Sequence, residues 1–251
     1  NHPGKVLFEV ENLASGKYVK DVSFQIREGE VVGFAGLVGS GRSETMEALF
    51  GVSLREKGKL RINGAEIEIH NPKDAIRHKI AFATEDRKRS GLNLIGSIKE
   101  NVTMVSLAEK VSKHGIIQEK KEGEVTEQYI KKLRIKTPNG DELVGNLSGG
   151  NQQKVVLAKW LLGEPEIIIF DEPTRGIDVG AKHEIYELIN ALSEQKKAII
   201  VISSEMPELM GICDRLYVMS EGYITGELNK DEFNQEAIMR LASARKGGMT
   251  Q

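Results

Sequence analysis

Three short runs along the chain are almost wholly apolar and rich in β-branched residues: Val31 to Ala35, Glu166 to Phe170 and Ala198 to Ile202. Glycine, proline or charge bounds each run, the pattern of a strand buried on both faces. Between the second and third, Ile185, Leu188, Ile189 and Leu192 recur at i, i+3, i+4 and i+7, which predicts an amphipathic helix. Strand, helix and strand in that order predict a parallel sheet with a crossover helix. The early residues read differently. Val6 to Asn12, Val22 to Glu28 and Lys59 to Ile69 alternate and are interrupted by glycine, as in an antiparallel β layer. Roughly from Arg87 to Gly163 the chain is charged, helix-prone and poor in strand signals, and it is expected to form a helical insertion within an α/β core. There is no internal repeat and no long low-complexity tract.

Composition narrows the classes. At 251 residues the chain suits one large α/β domain or two small ones. A net charge of −2 lacks the basic footprint of a dedicated nucleic-acid binder. The longest apolar runs fall far short of the ~20 residues a membrane helix needs, so any work at a membrane would be that of a peripheral subunit. The one cysteine, Cys213, excludes an internal disulfide, fits a reducing compartment, and reads most simply as a small core residue. His2, His70, His78, His114 and His183 show no metal-ligand spacing. The chain opens at Asn1 instead of Met, so it is expected to be a piece of a longer polypeptide, and its tail over 243–251 is expected to fray.

Chemistry concentrates at three places. Gly36, Gly41 and Ser43 fit the phosphate-loop pattern G-x-x-x-x-G-K-[ST] except that Arg42 stands where lysine is wanted. An apolar strand precedes the loop and a helix is predicted from about Glu44 to Phe50. Gly36, Gly39, Ser40 and Gly41 would let backbone N–H groups curl around phosphate oxygens, with the positive end of the helix behind them. The Ser43 hydroxyl suits Mg²⁺, and Glu44 follows in the first turn. Arginine is longer, planar and forked where lysine is a compact point charge, so the exchange is not conservative. Nucleotide binding is expected to survive it, with weak or absent turnover.

The second place is Asp171 and Glu172, ending an apolar strand. Asp171 suits a Mg²⁺-water ligand and Glu172 a general base for an attacking water; the plainer alternative is a helix N-cap. The third is Leu147-Ser148-Gly149-Gly150-Asn151-Gln152, a polar glycine-rich turn opening a helix from about Gln152 to Leu162. Ser148, Gly149 and Gly150 could offer a hydroxyl and backbone N–H groups to a phosphate, or merely cap the helix.

In this order and spacing the three segments resemble the ATP-binding domain of ABC (ATP-binding cassette) proteins over nearly the whole chain. The resemblance implies a P-loop NTPase fold: a RecA-like parallel α/β core with an antiparallel β layer (1–84 and 160–242) and an inserted helical subdomain (85–159). It implies ATP and Mg²⁺ as ligands, held by the phosphate loop, Asp171 and Glu172. It also implies that Ser148, Gly149 and Gly150 act on ATP held by a facing cassette, and that Arg175-Gly176-Ile177-Asp178 crosses the dimer interface through Asp178.

Three departures stand out. Glu85 occupies the place of the usual glutamine that senses Mg²⁺ and the membrane partner, where its carboxylate could ligate Mg²⁺ but adds negative charge near the phosphates, and Ser204 occupies that of the usual switch histidine. No aromatic stands at the usual adenine-stacking spacing, although Tyr18 is nearby. Arg42, Glu85 and Ser204 all belong to the chain's own composite site, whereas the signature turn is intact. One degenerate site with one good donated half-site is similar to the second half of the fused two-cassette ATPase subunits of bacterial monosaccharide importers. Gly36 to Glu44 and Thr84-Glu85-Asp86-Arg87-Lys88 read close to that subfamily. The partners implied are a second cassette, membrane permease subunits and, indirectly, a periplasmic or extracellular sugar-binding protein. The expected location is cytoplasmic, peripheral on the inner face of the cell membrane. The run Arg87-Lys88-Arg89 could touch a membrane subunit or simply be solvated. Two other readings stay open: a nucleotide-binding regulatory half without turnover, and a soluble non-transport ABC protein acting on ribosomes or DNA.

Overall fold

The structure, a computed structural model, describes residues 3–244. The contacts divide these into two compact units, one comprising 3–82, 166–172 and 186–244 and the other Ala83–Pro165 with Pro173–Ile185. Unit 1 opens with β1 (Val6–Ser15), β2 (Val19–Arg27), β3 (Val31–Gly36), α1 (Arg42–Phe50), β4 (Lys57–Ile62), β5 (Ala65–Ile67), α2 (Pro72–Arg77) and β6 (Ile80–Ala83). Unit 2 holds α3 (Ile98–Thr103), the hairpin β7 (Ser112–Lys113) and β8 (Ile116–Ile117), α4 (Glu119–Lys132) and α5 (Gly149–Leu161). The chain continues with β9 (Ile167–Asp171), α6 (Val179–Glu194), β10 (Ala198–Ile202), α7 (Met206–Ile212), β11 (Arg215–Ser220), β12 (Tyr223–Asn229) and α8 (Gln235–Ala242).

The strands of unit 1 form one ten-stranded sheet in the order β5-β4-β1-β2-β12-β11-β3-β10-β9-β6. Its centre, β11-β3-β10-β9, is parallel. Every residue of β9 and β10 is buried, as is β3 up to its final glycine, which is why these strands read as continuous apolar runs. Ile202 of β10 lies beside Phe34 of β3 on one side and Asp171 of β9 on the other, so the three strands end at nearly the same level. A cluster of Phe8, Phe24, Phe34 and Tyr217, with ring centroids 4.9 to 6.4 Å apart, packs beside the central strands.

The expected antiparallel layer is formed by β1, β2, β4 and β5, and it is continuous with the central strands because β2 pairs with β12 through Asp21 and Tyr223. The sheet differs from the sequence expectation in two respects. Lys59 to Ile69 folds back on itself as β4 and β5, with Asn63 (φ 51°) and Gly64 (φ 77°) turning the hairpin. Strands β6, β11 and β12 were not anticipated. The first has only four residues, and β11 is masked by Arg215, Tyr217 and Ser220. Arg215 is buried because Glu30, Glu227 and the Gln25 carbonyl take up its guanidinium.

Unit 2 also contains strand where none was expected. The β7–β8 hairpin turns at His114 (φ 52°) and Gly115 (φ 80°). Of the tail expected to fray, Ser243 caps α8, while residues 245–251 lie outside the described residues, as does His2. No helix among the described residues is long and apolar enough to cross a membrane.

Candidate functional site

In a parallel sheet, ligands bind at the carboxyl ends of the strands, and each of the level ends of β3, β9 and β10 contributes one part of a site. From β3 the chain turns through 36–41 into α1. A Cβ on Gly36 would stand 2.5 Å from the Met219 carbonyl oxygen. One on Gly41, the N-cap of α1 at φ 98°, would stand 2.2 Å from the Tyr18 carbonyl oxygen. Only glycine fits either place. The crest of the loop, Leu37, Val38 and Gly39, is exposed, whereas Ser40 and Arg42 are buried. The Ser40 amide donates to Leu37 O at 3.1 Å, and the buried Ser40 Oγ makes no hydrogen bond. The first-turn N–H groups of α1 have no carbonyl four residues back within the helix, so they face the loop as donors. Glu44, half-buried in that turn, pushes the neighbouring Glu47 carboxyl upward, second to burial.

At the end of β9, Asp171 is 3% exposed. Burial lifts its carboxyl to about 6, against the opposing pull of a hydrogen bond from the Ser43 hydroxyl. Its Oδ1 is buried and has no hydrogen-bond partner. An unused buried carboxylate oxygen beside a serine hydroxyl fits a divalent cation with hard oxygen ligands. No group of three or more His, Cys, Asp or Glu side chains gathers among the described residues. The two-ligand arrangement suits Mg²⁺, which takes one or two protein ligands and completes its shell with water and phosphate.

Glu172 follows in the left-handed conformation at φ 49°. Its amide donates to Ile202 O at 2.9 Å. Its carboxylate accepts the Ser204 amide at 2.7 Å on Oε1 and the Ser204 hydroxyl at 3.3 Å on Oε2. Burial raises the Glu172 carboxyl, and both Ser204 hydrogen bonds oppose that rise. Arg42 completes this cluster. Its Nη1 donates to Ser203 O at 3.0 Å, tying the guanidinium to the end of β10. Burial lowers its pKa, while Glu172, Asp171 and Glu44 pull it back up. An arginine stays charged under such opposition, so one fixed cation is shared between the two carboxylates. Tyr18, which sequence spacing left displaced, packs its backbone on Gly41 and keeps a ring 42% exposed, with Lys17 Nζ 4.7 Å from the ring centre.

Unit 2 carries the remaining predicted residues. Ser148 is the N-cap of α5, and its exposed hydroxyl accepts a hydrogen bond from Asn151 Nδ2 at 3.0 Å. Gly149 and Gly150 are packing requirements. A Cβ on Gly149 would lie 2.9 Å from Arg87 Nη2 and 3.0 Å from Gly176 O, and one on Gly150 would lie 2.7 Å from Ala181 Cβ. Asp178 Oδ1 accepts the Ala181 amide at 2.9 Å, and backbone N–H groups hold its carboxyl below the usual range. Ser148, Gly150, Asp178 and Lys154 line a cavity of about 170 Å³. Glu85 is half-exposed and ion-paired with Arg175.

The structure thus gathers Gly36, Gly39, Ser40, Gly41, Arg42, Ser43, Glu44, Asp171, Glu172 and Ser204 within unit 1. Glu85, Ser148, Gly149, Gly150 and Asp178 fall in unit 2. Sequence reasoning placed Arg87 only in a basic run that could touch a membrane subunit or be solvated, whereas its guanidinium donates to the Arg175 and Gly176 carbonyls at 2.8 and 3.2 Å. The only signal was its place two residues after Glu85, obscured by the flanking basic residues.

Residues 19–175, over half the chain, match the family model described as ABC transporter, and the chain belongs to that family. It is 53% identical over 239 residues to the ribose import ATP-binding protein RbsA of Clostridium perfringens, covering 95% of this chain and 48% of that protein. It is 51% identical over 242 residues to a putative ribose/galactose/methyl galactoside import ATP-binding protein of Halalkalibacterium halodurans, covering 96% of this chain and 46% of that one. The chain therefore spans about half the length of these relatives. Among solved structures it resembles MJ1267, an ATP-binding cassette of an ABC transporter, with a TM-score of 0.80 at 21% identity over 95% of this chain and 99% of that one. It also resembles MJ0796, a cassette solved as a dimer in a post-hydrolysis state with ADP and Pi, with a TM-score of 0.77 at 22% identity over 90% and 100% of the two chains. The fold is that of the ATP-binding cassette, within the P-loop NTPase class.

Proposed function

We propose that this chain is an ATP-binding cassette that binds MgATP and closes against a second cassette of the same polypeptide, powering sugar import through a membrane permease. The observation that carries this reading is the buried, unpartnered Oδ1 of Asp171 beside Ser43, level with Glu172 and the phosphate loop. The names of the relatives support sugar import, and the absence of a membrane-crossing helix among the described residues is compatible with a subunit seated on the inner face of the membrane. A sugar-binding protein outside would deliver the solute to the permease.

Backbone N–H groups of 36–43 would hold the β- and γ-phosphates, and Ser43 and Asp171 would hold the metal. Bound Mg²⁺ supplies positive charge that neutralises the phosphates. Glu172, kept ionisable by Ser204, would orient and polarise the attacking water. Arg42, anchored to Ser203 O and drawn toward the carboxylates, is poorly placed to follow the γ-phosphate, which makes turnover at this site weak. Ser148, Gly149 and Gly150 would complete the other cassette's site, with Asp178 at the interface and Glu85 near the permease. In this reading unit 2 corresponds to the helical subdomain spanning about 85–159.

One observation favours a second reading, a regulatory half that binds nucleotide without turnover: Ser204 already engages both oxygens of Glu172. Titration calorimetry of MgATP into this chain, with Arg42→Lys in parallel, tests the binding step. Micromolar affinity in both supports a loaded site. No binding in either refutes the nucleotide reading. Steady-state ATPase with the intact partner cassette then separates weak turnover from none.

A further inference from the structure

Three segments of unit 2 meet at one side chain. Arg87 stands in a short turn, Arg87–Gly91, whose start is capped by Asp86 accepting the Lys88 and Arg89 amides at 3.2 and 3.0 Å. The far end of that turn is also held, because Lys159 of α5 donates its Nζ to Gly91 O. From this fixed base the Arg87 guanidinium reaches 88 positions along the chain to donate to two consecutive carbonyls, Arg175 O and Gly176 O. Its Nη2 also lies where a side chain on Gly149 would have to go, 2.9 Å from the Cβ position, and Gly176 O closes the same space at 3.0 Å. Beside these bonds the Arg175 side chain pairs with Glu85. Exchange of partners between two short segments therefore runs both ways.

We propose that Arg87 is a positioning residue that, with the Glu85–Arg175 pair, latches the loop carrying Asp178 to the signature turn. The residues offered to the second cassette are thereby set by a segment that is not part of either. This rests on the proposed function for its consequence, but the latch itself is a property of unit 2. The division of labour follows from the chemistry. An ion pair whose side chains are 65% and 41% exposed is screened by solvent and holds weakly. Two N–H donors fixed in one planar group on successive carbonyls define the relative orientation of two consecutive peptide groups, which a lysine ammonium cannot do. Arg87 fixes geometry, and Glu85 with Arg175 selects the register. Glu85 is on this account committed to Arg175 and not to a metal.

The test uses amide hydrogen exchange and ATPase kinetics on the full-length subunit, the latter with its permease. Arg87→Ala is expected to speed exchange at 149–150 and 175–178 by about tenfold or more while leaving 36–43 unchanged. Arg87→Lys is expected to restore only part of the protection. Unchanged exchange at both segments in Arg87→Ala overturns the latch, as does equal loosening throughout the chain. In the ATPase assay Arg87→Ala is expected to lower kcat about tenfold with KM for ATP within twofold, since a small misplacement of donors acts on the transition state. Glu85→Arg and Arg175→Glu should each lower kcat, and the double exchange should bring it back to within twofold of wild type. A double variant no better than its singles overturns the pairing and returns Glu85 to the phosphates. A wild-type complex without ATP turnover would defeat the proposed function, while the exchange data would still decide the latch.

Discussion

Replacing Asp171 by asparagine should stabilise the nucleotide-free protein at neutral pH. Burial lifts the Asp171 carboxyl from its ordinary 3.8 to about 6, with Oδ1 left unpartnered. The native state therefore holds that proton more tightly than the unfolded chain. This group contributes no penalty below pH 3.8; the penalty grows from 3.8 to 6 and is complete above 6. At about 1.4 kcal/mol per pH unit the ionised carboxylate destabilises the fold by roughly 3 kcal/mol. Asparagine removes the charge but leaves a buried amide hydrogen without an acceptor, at a cost of about 1 kcal/mol. The net gain is about 2 kcal/mol, or about 4–8 °C in Tm for a chain of this size. Thermal melts of both proteins without nucleotide, taken in parallel from pH 4 to 8, check this. The difference should be largest at pH 7 and above and shrink toward pH 4. Saturating MgATP should reverse the order, because wild type alone gains a metal at Oδ1. An asparagine variant that melts below wild type at pH 7.5 without ligand would refute the account of Asp171 as a carboxylate awaiting a cation.

Two further outcomes follow from the same site. Gly41→Ala must place a methyl 2.2 Å from Tyr18 O at φ 98°, so it should lose about 3 kcal/mol or more of stability along with MgATP binding, as read by melting and calorimetry. Ser204→Ala removes the hydroxyl bond to Glu172 Oε2 while keeping the amide bond to Oε1. Loss of a bond that favours ionised Glu172 should raise its pKa further, moving the acid limb of the ATPase pH profile to higher pH, and a downward move would contradict the assigned role.

How much of this was legible in sequence depended on the range of the signal. β3, β9 and β10 announced themselves because strands buried on both faces are uninterrupted apolar runs. The groups at their ends were legible because loop and strand patterns adjoin them. β11 was hidden by Arg215, whose burial becomes acceptable only when Glu30, 185 residues away, lies beside it. Arg87 was hidden for the same reason, since nothing local distinguishes it from Lys88 and Arg89. Ser204 was placed by resemblance to a switch position, but its grip on both oxygens of Glu172 needed the register that sets β10 against β9.

The tight packing around the signature glycines has an evolutionary consequence. Gly149 and Gly150 are held small by Arg87, Gly176 and Ala181 of their own chain, so purifying selection on folding alone would keep them. A duplicated cassette that had stopped serving any partner would go on displaying the glycine pair. The hydroxyl of Ser148 is under no such constraint, being exposed and met only by Asn151. Drift at the serine, rather than at the glycines, is therefore where the loss of a donated half-site would first be written.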